Sequence, residues 1–175
     1  MRFPWVRHGW TSIIEKMINK QKIQEYLHQA MASMPEADLF EVSVSVSPKN
    51  EIKVYIDGMQ GVNIDSCVSI SRYIEQHLDR DAEDFELTVS SAGLDQPLRV
   101  FRQYVKNIGR EVKVTASTGE TLKGVIESAD EEGFSLRVKP KKNTRADKDK
   151  AAQEEMLQVF KYQAVKEVKI VISFK

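Results

Sequence analysis

The sequence has a single cysteine and no long apolar stretch. Cys67 stands alone among 175 residues, which excludes an internal disulfide and any metal site built on paired cysteines. No apolar run approaches the roughly 20 residues that a membrane-spanning helix needs. The first sixteen residues lack the apolar stretch of an export signal. We therefore expect a cytoplasmic protein without membrane association.

Motifs typical of enzymes and metal sites are missing as well. The sequence contains no P-loop, HExxH or EF-hand pattern, and Ser90-Ser91 before Gly93 lacks the spacing of a nucleophile elbow. Cys67 has no Cys-His signature beside it, and an isolated cysteine is commonly a small core residue. We therefore expect that the protein is not an enzyme and that it binds no cofactor and no metal. An enzyme built on Cys67 or on the acidic loop at 79–84 is the least supported alternative.

The charged residues are divided unevenly along the chain. Residues 17–100 carry 7 Lys or Arg against 14 Asp or Glu, a net charge of −7. Residues 101–175 carry 16 against 11, a net charge of +5. Two halves of opposite sign suggest different partners, or units that attract each other. A division of this kind also arises by chance.

Hydrophobic periodicity in the first half predicts the order α-β-β-α-β. Apolar residues recur at helical spacing over 18–34. Strict alternation over 40–46 and 52–56, on either side of a polar turn, indicates an antiparallel hairpin. A second helix, capped by Asp65, and a third alternating run at 85–90 follow. We expect two helices to cover one face of a three-stranded sheet.

The second half has the pattern of a small all-β domain. One or two helical turns closed by Gly109 precede five short strands between 111 and 174, which favour a closed or half-open barrel. A charged stretch at 140–155 is expected to form a mobile loop, with a short helix over 146–155 as the alternative. The predicted domains are 17–97 and 98–175, and residues 1–16 are expected to be a disordered or misassigned extension outside the fold.

Two segments are candidate binding sites. The basic stretch around the charged loop could contact phosphates through charge, or serve as a solvated loop that keeps the protein soluble. Its candidate RNA contacts are Arg137, Lys139, Lys141, Lys142 and Arg145.

The second candidate is the joint at 89–98. Its serines can bond local backbone, Gly93 permits an unusual backbone angle, Asp95 can support a turn and Pro97 fixes φ. A well-made interdomain turn explains these residues, and the functional hypothesis adds a surface that a partner recognises. That surface comprises Ser90, Ser91, Gly93, Leu94, Asp95, Gln96 and Pro97.

The joint also carries a family resemblance. Val89-Ser-Ser-Ala-Gly-Leu-Asp-Gln-Pro-Leu98 closely resembles the VSSPGLDRPL signature of the bacterial ribosome maturation factor RimP family. The resemblance covers about residues 17–175. Further matches are Val54-Tyr-Ile-Asp57, Gly61-Val62, Asp65-Ser-Cys67, Ser71-Arg72, Phe101 and Ile108-Gly-Arg-Glu-Val112.

The resemblance implies a fold and a function. The fold class is α+β, with an N-terminal α-β-β-α-β domain followed by a small all-β Sm-like (SH3-like) barrel. The function is that of a non-catalytic assembly factor, which we expect to be a monomer. The implied partners are the pre-30S ribosomal particle, a small-subunit ribosomal protein near the decoding region and 16S rRNA. The alternative is a general RNA-binding protein acting through the Sm-like barrel.

Two residues depart from the family signature. Ala92 stands where the family has proline, which frees the backbone, and Gln96 stands where it has arginine, which removes a charge and a bidentate donor. We therefore expect the joint to set backbone shape, and the barrel with its basic loop to supply more of the charge-driven binding.

Overall fold

The computed structural model describes residues 18–138 and 155–173. The chain separates into two compact units between Ala92 and Gly93, here called the N-terminal unit and the C-terminal unit. The predicted extension at 1–16 and residues 140–154 of the charged stretch lie outside the described residues. The domain bounds 17–97 and 98–175 remain predictions.

The N-terminal unit has the predicted order of elements. Its elements are α1 (Lys20–Ala32), β1 (Leu39–Val46), β2 (Glu51–Gly58), α2 (Ile64–His77) and β3 (Glu86–Ser91), with a short 3-10 turn at Pro35–Ala37. The sheet order is β1-β2-β3. β1 pairs with β2 antiparallel, as the hairpin pattern predicts, and β2 pairs with β3 in parallel. α2 makes the crossover that a parallel pair requires.

One hydrophobic core holds this unit together. Alternation along β2 places Ile52, Val54 and Ile56 on the same face, and all three are fully buried or nearly so. The helices contribute apolar residues at helical spacing to the same core. Those fully buried helical residues are Ile23, Leu27, Ile70 and Ile74.

The predicted cap of α2 is wrong by two positions. Asn63 has an extended backbone, and its side chain accepts a hydrogen bond from the Ser66 N–H at 2.7 Å. This is the geometry of an N-cap, which satisfies a backbone donor at the helix start. Asp65 lies in the first turn instead, where its negative charge suits the positive end of the helix dipole.

The C-terminal unit consists of a short helix followed along the chain by the five strands of an antiparallel sheet. Its elements are α3 (Phe101–Lys106), β4 (Glu111–Ala116), β5 (Thr121–Ala129), β6 (Gly133–Val138), β7 (Met156–Lys161) and β8 (Val165–Ile170). The strand order is β7-β6-β5-β4-β8, so β7 and β8 form the two edges. A 3-10 turn, Tyr162–Ala164, joins these edge strands. The predicted fold class is confirmed.

Buried aromatic rings pack together in the core of the C-terminal unit. Tyr104 on α3 is 3% exposed, and its ring centroid lies 4.9 Å from that of Phe134. Burial raises the pKa of the Tyr104 hydroxyl above its ordinary value of 10.0. Gly109 follows α3 with φ +87°, and its N–H donates to the Ile126 carbonyl at 2.8 Å. A residue without Cβ is favoured at that turn.

None of the helices in residues 18–138 and 155–173 combines the length and the apolar character that a membrane span needs.

Candidate binding surface

The joint begins at the end of β3. Ser90 and Ser91 pair with Tyr55 and Ile56 of β2. The Ala92 N–H then donates to the Ile56 carbonyl at 2.8 Å, which extends the ladder by one bond. The Ser90 hydroxyl donates to the Ser91 carbonyl at 3.3 Å, which is the local backbone bond that the sequence suggests. The serines are therefore held by strand pairing within the N-terminal unit.

A tight turn follows in the C-terminal unit. The Gln96 N–H donates to the Gly93 carbonyl at 3.1 Å. The expectation of an unusual backbone angle at Gly93 is wrong, because its φ lies outside the left-handed region. A Cβ at Gly93 would instead collide with the Asp95 carboxylate, whose Oδ1 occupies that space. Gly93 thus leaves room for the Asp95 carboxylate and does not adopt a positive φ.

The turn is presented to solvent, and its far end is anchored. Leu98 is 8% exposed, and its N–H donates to the Val168 carbonyl of β8 at 2.8 Å. Between Gly93 and the half-buried Pro97, the side chains of Leu94, Asp95 and Gln96 are exposed. Leu94 is 53% exposed and adds an apolar side chain to this surface. A fixed backbone with exposed side chains is a surface that a partner could contact.

The basic candidates are not brought together by the described structure. Lys139, Lys141, Lys142 and Arg145 lie outside the described residues. Arg137 on β6 donates to Glu127 through Nε at 3.0 Å and through Nη2, and its Nη1 lies 3.5 Å from Glu155. The hydrogen bond with Glu127 is the main reason that the pKa of Arg137 is raised. Arg137 must exchange carboxylates for phosphates before it can bind RNA.

A group of cations that the sequence does not reveal lies on the outer face of the same sheet. Lys113 on β4 is directly opposite Lys123 on β5 and directly opposite Lys169 on β8. These three exposed residues are called the lysine row below. Each lysine alternates with buried or half-buried neighbours, which is a sequence signal for an outward side chain. The pairing register that aligns them is not visible in the sequence.

The candidate enzyme features belong to the packing of the N-terminal unit. Cys67 is half-buried against the core, and burial raises the pKa of its thiol, which disfavours the reactive thiolate. In the acidic loop, Asp79 Oδ1 accepts the backbone N–H of Asp81 at 3.0 Å and that of Ala82 at 3.3 Å. Within 18–138 and 155–173, no three His, Cys, Asp or Glu side chains are grouped to hold a metal.

Comparisons with known proteins agree with the sequence resemblance. The family model described as the RimP N-terminal domain matches residues 27–95. The ribosome maturation factor RimP of Flavobacterium psychrophilum is 40% identical over 110 residues, which cover 63% of this chain and 70% of that protein.

Two further relatives bear the same name. The one from Christiangramia forsetii is 34% identical over 155 residues, which cover 89% of this chain and 99% of the relative. The one from Porphyromonas gingivalis is 38% identical over 122 residues, which cover 70% and 78%.

Proposed function

This chain belongs to the ribosome maturation factor RimP family, and on that premise we propose that it binds the immature small (30S) ribosomal subunit and assists its assembly without catalysis. The observation that carries the proposal is the match to the Christiangramia forsetii protein. It covers 155 residues here and 99% of that relative, so it includes both units. We place this activity in the cytoplasm and assign it to a monomer.

The acidic N-terminal unit suits a basic protein partner. A group of four exposed carboxylates lies around the loop between α2 and β3. Arg80, the single cation of that loop, lies over the Phe85 ring with its Cζ 4.4 Å from the centroid. A small-subunit ribosomal protein near the decoding region is the partner that we assign to this side. The carboxylates are those of Asp79, Asp81, Asp84 and Glu86.

The joint is the second proposed contact. Its turn exposes Leu94, Asp95 and Gln96 on a backbone fixed by the Gly93–Gln96 hydrogen bond. A surface that is already ordered loses little conformational entropy when a partner binds. Because Gln96 lacks the charge of the family arginine, we assign this surface to polar and apolar contacts. The C-terminal unit then faces 16S rRNA, with Arg137 and the basic stretch as candidate contacts.

Ribosome profiles of a strain lacking the gene test the proposal. We expect free subunits to accumulate and 16S rRNA to remain partly unprocessed. Expression of the intact chain should restore both. Normal subunit ratios together with fully processed 16S rRNA would overturn the proposal.

General RNA binding is the alternative function, and the lysine row favours it because three cations share one exposed face. Titrating the full chain with immature 30S particles and with naked 16S rRNA at one salt concentration separates the two functions. The main proposal predicts a clear preference for the particle, whereas the alternative predicts equal affinity per site.

A further inference from the structure

The lysine row is produced by the strand register of the C-terminal sheet. Lys113 lies between the buried residues Val112 and Val114 of the interior strand β4, so its side chain points outward. Its direct neighbours across both strand interfaces are Lys123 and Lys169. Directly opposed residues in an antiparallel pair have Cβ atoms about 5 Å apart, on the same face of the sheet. The three side chains therefore leave the sheet side by side on one face.

Protection of a sheet edge accounts for one of the three lysines. Lysine on an edge strand discourages pairing with other chains, and Lys169 lies on the edge strand β8. β4 and β5 are interior strands, paired on both sides, so Lys113 and Lys123 have no edge to protect. Like charges directly opposite each other destabilise a sheet, and this row contains two such pairs.

Two carboxylates are diagonal neighbours of the row on the outer face, Glu111 of Lys123 and Glu167 of Lys113. Glu111 and Glu167 share the outer face, but they lie opposite Val125 and Thr115. Lys169 Nζ lies 2.8 Å from Glu167 Oε1. In the described part of the chain, Lys169 is the member of the row that has an ion pair.

Arg137, a cation on the neighbouring strand β6, has a different environment from the lysine row. Lys123 and Arg137 line one cavity of about 430 Å³ together with Glu111 and Glu155. Arg137 is engaged by the carboxylates of Glu127 and Glu155. Arg137 is therefore paired with carboxylates, whereas the described residues show no ion pair for Lys113 or Lys123.

We propose that the lysine row binds the phosphate backbone of RNA. This inference rests on the proposed function for the presence of RNA and adds the surface that holds it. Adjacent strands are about 4.8 Å apart, so the row spans roughly 10 Å. At about 3.4 Å of helix axis per phosphate along one DNA strand, that length covers about three intervals between phosphates. Lysine ammonium groups on flexible stems follow a backbone without selecting sequence.

A charge-removal variant of the full chain tests the row. Lys113, Lys123 and Lys169 are replaced together by Gln. Lys20, Lys49 and Lys53 of the N-terminal unit are replaced by Gln in a matched control, because they are exposed and give the same change in net charge. Affinity for an RNA duplex of about 16 base pairs, the length that a double-stranded RNA-binding domain spans, is measured by anisotropy over a salt series.

The row variant should bind the duplex at least about tenfold more weakly, and the slope of log affinity against log salt should fall by between about 2 and 3. The control should retain most of the affinity and of the slope. Equal losses in the two variants would overturn the proposal, because net charge would then explain binding. An unchanged row variant would overturn it too.

The immature 30S particle serves as a second probe. Loss of particle binding with unchanged duplex binding would assign the row to a ribosomal protein and overturn the RNA assignment. If the unsubstituted chain fails to bind the particle, the proposed function fails, whereas the duplex comparison still decides whether the row binds RNA.

Thermal unfolding separates binding from folding. Removing opposed like charges should leave the midpoint of the row variant unchanged or raise it. If the midpoint falls, the Lys→Arg triple variant decides, because it keeps the charges. Retained duplex binding by that variant supports the proposal, and lost binding overturns it.

Discussion

Two interior strands, β2 in the first sheet and β4 in the second, place an outward lysine among different neighbours. Lys53 of β2 lies opposite Ser45 and Thr88, which carry no charge. Lys113 of β4 lies opposite two other lysines. Both strands bury alternate apolar residues in the same way. The two units therefore resemble each other in how their cores form and differ in the charges that their outer faces present.

The cores should prove equivalent under matched substitutions. Ile56 and Leu136 are both fully buried. Ile56→Ala and Leu136→Ala should each lower the free energy of unfolding by about 2–5 kcal/mol, through lost apolar burial and a residual cavity. Urea unfolding followed by circular dichroism measures both losses. A loss below about 1 kcal/mol in one unit alone would show that its core is loosely packed and would break the equivalence.

Alkaline pH should destabilise the C-terminal unit through Tyr104. Burial raises the folded-state pKa of this hydroxyl above 10.0, so the unfolded chain deprotonates first as the pH rises. Stability is fully present below pH 10 and should fall above it, by about 1.4 kcal/mol per pH unit for one proton. Denaturant midpoints between pH 9 and pH 11 give the slope. Tyr104→Phe should make the slope shallower, and an identical slope in that variant would contradict the assignment.

The cap of α2 is a smaller effect in the N-terminal unit. Asn63→Ala removes the acceptor of the Ser66 N–H and should cost about 1 kcal/mol. Asp65→Ala removes a favourable interaction with the helix dipole and should cost less, about 0.3–1 kcal/mol. Thermal unfolding of the two variants tests the order. A larger loss for Asp65→Ala would restore Asp65 as the cap.

Reversing the charge of one outward lysine in each sheet tests whether the two outer faces differ in electrostatic repulsion. Lys113→Glu turns two repulsive pairs into attractive ones and should raise stability by about 1 kcal/mol or less. Lys53→Glu should change stability by less than about 0.5 kcal/mol, because its strand neighbours are uncharged. Urea midpoints measure both. Equal effects would mean that the lysine row causes no strain.

The sequence predicts the order of helices and strands, which depends on hydrophobic periodicity. It does not predict which side chains meet across strands, because that depends on the pairing register. The α-β-β-α-β order follows from alternation and helical spacing, and the structure confirms it. The lysine row is invisible because its three members are separated along the chain and meet only through strand pairing. The engagement of Arg137 is hidden for the same reason, since Glu127 is on another strand.

The turn at Gly93 gives the smallest expected effect and separates two reasons for a glycine. Because φ at Gly93 is not positive, an alanine Cβ meets only the end of the Asp95 side chain, which can rotate away. The lower entropy of the unfolded chain then offsets the displaced carboxylate, and Gly93→Ala should change stability by no more than about 0.5 kcal/mol.

Gly109 is the matched control in the same unit. With φ +87°, Gly109→Ala should cost about 1–2 kcal/mol, because an L-residue is strained in the left-handed region. Thermal unfolding of the two variants gives the comparison. If Gly93→Ala costs as much as Gly109→Ala, the backbone of the joint is strained after all. The preference for glycine at position 93 would then come from the backbone conformation, and the position of the Asp95 carboxylate would follow from it.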